Sequence, residues 1–236
     1  MTQAAQTKFF ITPSHACSYI ENQQATTLFL DPQVSPNPEL YHLLSEQGFR
    51  RSGSSFYRPH CASCNACIAA RIPSTLFKAN KRQRRIWNKN QDLDVSIVAP
   101  AFTKEHYELY ERYICERHQD GDMYPPSEEQ YLSFLVQGWS AHGMFVEFRK
   151  ENQLLALAVV DRLENALSAV YTFFDPDHSN RSIGNYAILW QIDYCRQNQL
   201  PLLYLGYWIK NCLKMRYKSD YRPLELLTNG QWLLVN

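Results

Sequence analysis

QLLALAVVDRLENALSAVYTFFDPDHSNRSIGNYAILWQIDYCRQNQLPLLYLGYW, residues Gln153–Trp208, is the stretch on which the fold turns. Gln153–Leu163 and Ala166–Asp175 read as two extended runs joined by a polar turn that suits an antiparallel hairpin. Gly184–Gln199 spaces its apolar residues as an amphipathic helix, and Leu200–Trp208 reads as a buried strand. Working outward, Gly143–Glu151 adds a strand before the first run. Further upstream lie a strand over Asp94–Pro100 and a helix opened by Thr103. A second helix follows, with Ser127 and Gln130 in capping-box spacing and Gly138 just past its last periodic residue. Downstream come a short helix over Lys210–Ser219 and a hairpin turning at Asn229 and Gly230. The order is strand, two helices, three strands, helix, strand, helix and closing hairpin, an α+β arrangement.

The first part of the chain has a different texture. Pro38 stands where a helix begins and Gly48 just past its end. Phe49–Arg58 carries a Ser/Gly turn between aromatic flanks and predicts a hairpin; Cys67–Phe77 predicts extended chain. Helix formers dominate from Ala79 to Lys89. We expect two domains: a smaller cysteine-containing, basic one over 1–92 and a second over 93–236.

A chain of 236 residues can bury a real core without disulfides. No run approaches the roughly 20 apolar residues of a membrane-spanning helix. Met1–Tyr19 lacks both a charged start and a long apolar segment, so it is not expected to be a secretory signal, and a cytoplasmic protein is expected. The formal net charge of +1 conceals a strong division. Between Glu46 and Asp92 stand ten Lys or Arg and no acid, leaving fourteen bases against 23 acids, net −9, elsewhere.

Cys61, Cys64 and Cys67 sit at three-residue spacing within that cationic window. Thiolates so spaced can converge on zinc or an iron–sulfur cluster, and Cys17 is the natural fourth ligand, with His60 or His15 as substitutes. Free, partly buried thiols in a reducing compartment are the plainer alternative. Cys115, Cys195 and Cys212 fall on predicted helices among apolar neighbours and are expected in the core. On the basic helix, Arg82, Arg85 and Lys89 share one face, flanked by Lys81 and Arg84. A cationic face of this kind suits a phosphate backbone, and Trp87 suits stacking on an unpaired base.

The order of elements in the second half resembles the Gcn5-related acyltransferase fold, a mixed sheet with helices. There the helix after the fourth strand starts at a loop of form R/Q-x-x-G-x-G/A that holds a phosphate. RSIGNY puts Arg181 and Gly184 in register, but Tyr186 takes the third small position, which argues against a tight coenzyme A pyrophosphate cradle. In such a fold Tyr171, Asp175 and Arg181 frame one side of a cleft. Lys210, Lys214, Tyr217 and Lys218 frame the other.

Three segments together carry a closer likeness: CSYI with LFLDP; FYRPHCASCNACIAARIP leading into KRQRRIWNKN; and YTFFDPD through SIGNYAILWQI to YLGYWIKNCLKMRYKSDYRPLE. The chain resembles the aminoacyl-tRNA–protein transferases, specifically the bacterial aspartate/glutamate leucyltransferases related to the eukaryotic arginyltransferases. The resemblance implies transfer of leucine from leucyl-tRNA to the N-terminal amine of proteins beginning with Asp or Glu, marking them for N-degron degradation. An aminoacyl ester is already activated, so the chemistry needs no cofactor, and positioning plus oxyanion stabilisation carry most of the rate. Asp175 is the expected acceptor of the amine proton and Tyr217 the expected oxyanion or relay donor. The cation that reads the acidic side chain is expected among Arg181, Lys210, Lys214 and Lys218. Two other functions fit parts of the sequence: a zinc-containing RNA-binding module without catalysis, and a coenzyme A-dependent N-acetyltransferase.

Overall fold

A computed structural model of the chain describes residues 8–139 and 141–236. The first seven residues of the segment not expected to be a secretory signal lie outside it. The chain opens with short strands, β1 (Phe9–Ile11), β2 (His15–Ala16), β3 (Gln24–Ala25) and β4 (Thr27–Leu30), and then α1 (Pro38–Glu46), where Asn37 accepts a hydrogen bond from the Leu40 amide. The predicted hairpin is β5 (Arg50–Ser52) with β6 (Ser55–Pro59), and β7 (Ile68–Pro73) follows. The basic helix α2 (Lys81–Lys89) is closed by a full capping box between Asn80 and Gln83.

Next come β8 (Asp94–Val98), α3 (Lys104–Arg117) capped by Thr103, and α4 (Glu128–Tyr131). Ser127 caps α4 as its spacing predicts, but Gln130 does not complete the box, because its side chain accepts from the Tyr110 hydroxyl instead. The helix widens into a π turn over Leu132–Val136. Strands β9 (Gly143–Lys150), β10 (Gln153–Arg162) and β11 (Ala166–Phe174) lead to α5 (Ile183–Gln197) and β12 (Leu202–Trp208). Helix α6 (Leu213–Arg216) and the hairpin of β13 (Leu224–Thr228) with β14 (Gln231–Val235) close the chain. Asn229 and Gly230 both take positive φ at that turn, as an Asn-Gly hairpin requires.

The strands form a four-stranded sheet, β1-β4-β6-β5, a small β2-β3 pair, and a mixed eight-stranded sheet, β14-β13-β7-β12-β11-β10-β9-β8. The continuous apolar run of β10 reflects burial on both faces. Ala158 and Val160 join the core under α5, while Leu157 and Val159 join the aromatic core against α3. Strand β7, which precedes the division expected at residue 92, pairs with β12 on one side and β13 on the other. Among the described residues no helix is long and apolar enough to cross a membrane.

Candidate functional site

Strands β11 and β12 are the only parallel neighbours among the described residues, and α5 makes the crossover between them. They pair through Ala166–Leu202, Leu167–Leu203 and Ser168–Tyr204, then separate. Arg50, from the start of β5, reaches into the opening, where its Nη2 donates to the Ala169 carbonyl at 3.0 Å and the Val170 carbonyl at 3.4 Å. Gly206 makes this approach possible. It has φ +78°, and a Cβ there would stand 1.9 Å from the Arg50 Nη1.

Tyrosines surround the guanidinium. Tyr207 donates to the carbonyls of Gly48 and Tyr57 and its ring centroid lies 6.3 Å from that of Tyr57. Burial pushes the nearby Tyr19 hydroxyl up to about 12, with Tyr57 adding to the rise and Arg50 opposing it. Against β12 packs the segment after α6. There Lys218 is only 2% exposed, and its Nζ donates to the Tyr207 carbonyl and contacts the Met215 Sδ. Burial, followed by the Arg50 charge, pulls the Lys218 ammonium down to about 7. Tyr217 is 40% exposed over the whole residue, yet packing around its hydroxyl withdraws it from water and pushes it up, while Arg50 favours the ionised form.

The residues expected around a cleft are distributed unevenly. Tyr217 and Lys218 gather near Arg50. Lys210 is exposed at the end of β12, and Lys214 is exposed with its Nζ 2.8 Å from Asp120. Arg181 forms a two-pronged ion pair with Asp92, both contacts at 2.8 Å. Tyr171 joins the aromatic core against α3, its hydroxyl buried without a partner among the described residues. Asp175 is buried; its carboxylate accepts from the Asp177 amide at 3.0 Å and from Arg112 at 2.9 Å, which makes it a cap and an ion-pair partner. Tyr186 is buried against Trp87 and Phe148, and Gly184 lies against the Phe174 ring. These contacts occupy the positions of a phosphate-holding loop. They also pack Trp87, which stays half-buried, against the Tyr186 ring.

Lys81, Arg82, Arg84, Arg85 and Lys89 all remain exposed on α2, whose buried side carries Gln83 and Ile86. The first turn holds two cations and no acid, an arrangement the helix dipole opposes. Two other bases from the cationic window are not surface groups. Arg51 makes a buried two-pronged pair with Asp161 at 2.7 and 2.8 Å. Arg71 pairs with Glu225 at 2.5 Å and with Glu46, and its guanidinium lies 4.1 Å from the Trp232 ring centroid.

Cys17, Cys61, Cys64 and Cys67 line one cleft of about 450 Å³ together with His60. All seven cysteines are free thiols. Burial pushes the Cys67 thiol up to about 12, and the neighbouring thiols of Cys17, Cys61, Cys64 and Cys212 add to the rise. No group of three or more His, Cys, Asp or Glu among the described residues stands in metal-holding geometry. Cys195 is buried as expected, whereas Cys115 and Cys212 are only half-buried. Cys212, just before α6, lies close enough to Cys67 to add to the rise of that thiol but does not line the cleft. Sequence spacing also left Arg50 unnoticed; its only signal was the Phe-Arg-Arg run opening the hairpin.

The described residues thus carry a splayed parallel pair joined by a helix, an exposed basic helix and a cleft lined by thiols. Sequence models of the arginine-tRNA-protein transferase family match both parts of the chain, the N terminus over residues 15–85 and the C terminus over residues 105–228. The chain belongs to this family of aminoacyl-tRNA–protein transferases. It is 55% identical over 240 residues to the aspartate/glutamate leucyltransferase of Pseudomonas entomophila (strain L48), and 54% identical over 236 residues to that of Pseudomonas fluorescens (strain Pf0-1). Both alignments cover 100% of each chain. Among solved structures, L-PGS from Bacillus licheniformis matches with TM-score 0.46 and 12% identity, covering 71% of this chain and 49% of that one.

Proposed function

We infer that the chain is an aminoacyltransferase that moves leucine from leucyl-tRNA to the N-terminal amine of proteins beginning with Asp or Glu, the step that commits them to N-degron degradation. The observation that carries this is the identity of 54–55% with aspartate/glutamate leucyltransferases along the whole chain. The amine nitrogen attacks the ester carbonyl, the bond to the tRNA ribose oxygen breaks, and the amine proton is passed on to that oxygen. An α-amine with a pKa of roughly 7.7–8.0 is partly neutral in the cell, so no strong base is needed. Tyr217, exposed beside Arg50, is our candidate for the hydroxyl that meets the oxyanion. Asp175 enters as the proton acceptor only if Arg112 releases it.

The same proposal takes the fold as Gcn5-related acyltransferase-like, supported by the parallel pair β11 and β12 that separates past Ser168 with α5 as crossover. It takes the exposed bases of α2 as the tRNA-binding face, residues 1–92 as a cysteine-containing unit docked to the rest, and the cytoplasm as the compartment. The decisive assay incubates the protein with labelled leucyl-tRNA and peptides beginning in Asp, Glu and Ala. Label should pass to the first two alone; tRNA binding with no transfer to any peptide would leave an RNA-binding module.

We further propose that Cys17, Cys61, Cys64 and Cys67 hold zinc or an iron–sulfur cluster. The four thiols line one cleft with His60, and because no three of them stand in metal-holding geometry among the described residues, binding would draw the Cys61–Cys67 loop together and fix the fold next to β7 without entering the transfer step. Protein purified without oxygen should carry about one metal site per chain by elemental analysis. Metal-free protein of full activity and unchanged stability would return these thiols to a structural role.

A further inference from the structure

The bases of the cationic window differ in what neutralises them. Arg51 and Arg71 are each held by carboxylates, the α2 bases face solvent with Arg82 3.7 Å from Asp220, and half-buried Arg58 donates to the Gln47 carbonyl and lies over the Phe49 ring. Arg50 is neither carboxylate-bound nor solvent-facing. It is half-buried, and among the described residues it meets no carboxylate within ion-pair distance. Both of its hydrogen bonds leave from Nη2 and end on backbone carbonyls. Its charge is felt by the surrounding tyrosines, and buried Lys218 nearby brings a second group of the same sign. A desolvated guanidinium without a counter-anion is costly, and this one is kept in place by a glycine that exists in a conformation only glycine adopts freely. The arrangement is that of a site waiting for an anion.

A carboxylate at the tip of a side chain is the anion that the leucyl-transfer reading supplies at this place. Resting on the leucyl-transfer function proposed above, we propose that Arg50 is the specificity-determining residue of this enzyme: its guanidinium, at the splay of β11 and β12, pairs with the carboxylate of the N-terminal Asp or Glu. The pairing holds that residue's α-amine near Tyr217. It also leaves the guanidinium unpaired when Asn or Gln arrives, which is what converts a one-charge difference into selectivity. Of the four cations the sequence suggested for this task, Arg181 and Lys214 are occupied by Asp92 and Asp120, Lys210 lies outside the gap, and Lys218 donates to backbone.

The test is leucine transfer by Arg50→Gln and Arg50→Lys to peptides beginning in Asp, Glu, Asn and Gln, with leucyl-tRNA affinity measured separately. Arg50→Gln should lower kcat/KM for Asp and Glu peptides about 10- to 100-fold and leave Asn and Gln peptides unchanged, with tRNA affinity intact. Arg50→Lys keeps the charge but retracts it, so it should retain acidic preference while shifting the Glu-to-Asp ratio toward the longer Glu. If Arg50→Gln does not fold, that shift in the lysine variant decides the matter. Equal loss on all four peptides, loss confined to tRNA binding, or an unaltered Glu-to-Asp ratio in Arg50→Lys would overturn the assignment. Failure of the parent protein to transfer leucine to any peptide would instead overturn the function on which it rests.

Discussion

Lys218 is almost fully withdrawn from water, and its ammonium binds a proton less tightly in the folded chain than in the unfolded one, at about 7. The unfolded state therefore carries more protons between that value and the ordinary lysine range. Stability rises as pH climbs through this window, by up to about 1.4 kcal/mol per pH unit from this group, and is lowest below pH 7. Lys218→Met removes the slope. Urea unfolding at pH 6.5 and pH 9 should show the variant gaining on its parent most at the lower pH; an equal difference at both would mean that the ammonium is not desolvated. Residue chemistry of this sort was only half legible in the sequence. Ten bases without an acid stand out between Glu46 and Asp92, but nothing local tells that Asp161 takes Arg51, that Glu46 and Glu225 take Arg71, and that Arg50 is left without a carboxylate.

At the scale of elements, α2 is the clearest case of agreement between local sequence and structure. Asn80 and Gln83 cap it, Ile86 and Gln83 bury its inner side, and the five cations project outward. Two cations in its first turn cost about 0.3–1 kcal/mol each against the helix dipole. Replacing Arg82, Arg85 and Lys89 together by Ala should leave folding intact and weaken tRNA binding. Each lost phosphate contact should lower the slope of log affinity against log salt by roughly 0.7 to 0.9. Unchanged binding at low salt would place the tRNA on another surface. Helix α4 shows the opposite relation: the Ser127 cap was readable, but Tyr110, on α3, draws the Gln130 side chain away and the helix continues as a π turn.

The whole molecule is stitched across its length by buried charge and by one strand. Arg51 of β5 grips Asp161 of β10, Arg71 of β7 grips Glu46 of α1 and Glu225 of β13, and β7 itself fills the place between β12 and β13. Leaving one member of such a buried pair without its partner costs about 3–5 kcal/mol. A fragment of residues 93–236 lacks β7 and both arginines, so it should show no cooperative urea transition, while the full chain unfolds in one. A fragment transition as sharp as that of the full chain would mean that the eight-stranded sheet tolerates the gap.

While the short strands β1–β4 and the Asn80 cap went unread, the sequence alone determined the kind and order of most elements from α1 onward, the cap at Thr103, the Asn229–Gly230 hairpin and the basic face of α2. These depend on hydrophobic period, capping and turn chemistry, which act between residues a few positions apart. Tertiary structure decided the rest: the insertion of β7 beside a strand some 130 residues later, the separation of β11 from β12, and the gathering of Cys17, Cys212 and the Cys61–Cys67 thiols around one place. It also left Arg50, at the splay of β11 and β12, without a carboxylate. Each of these rests on contacts between segments far apart in the chain, whose closure depends on how all the intervening elements pack, and no local pattern encodes that.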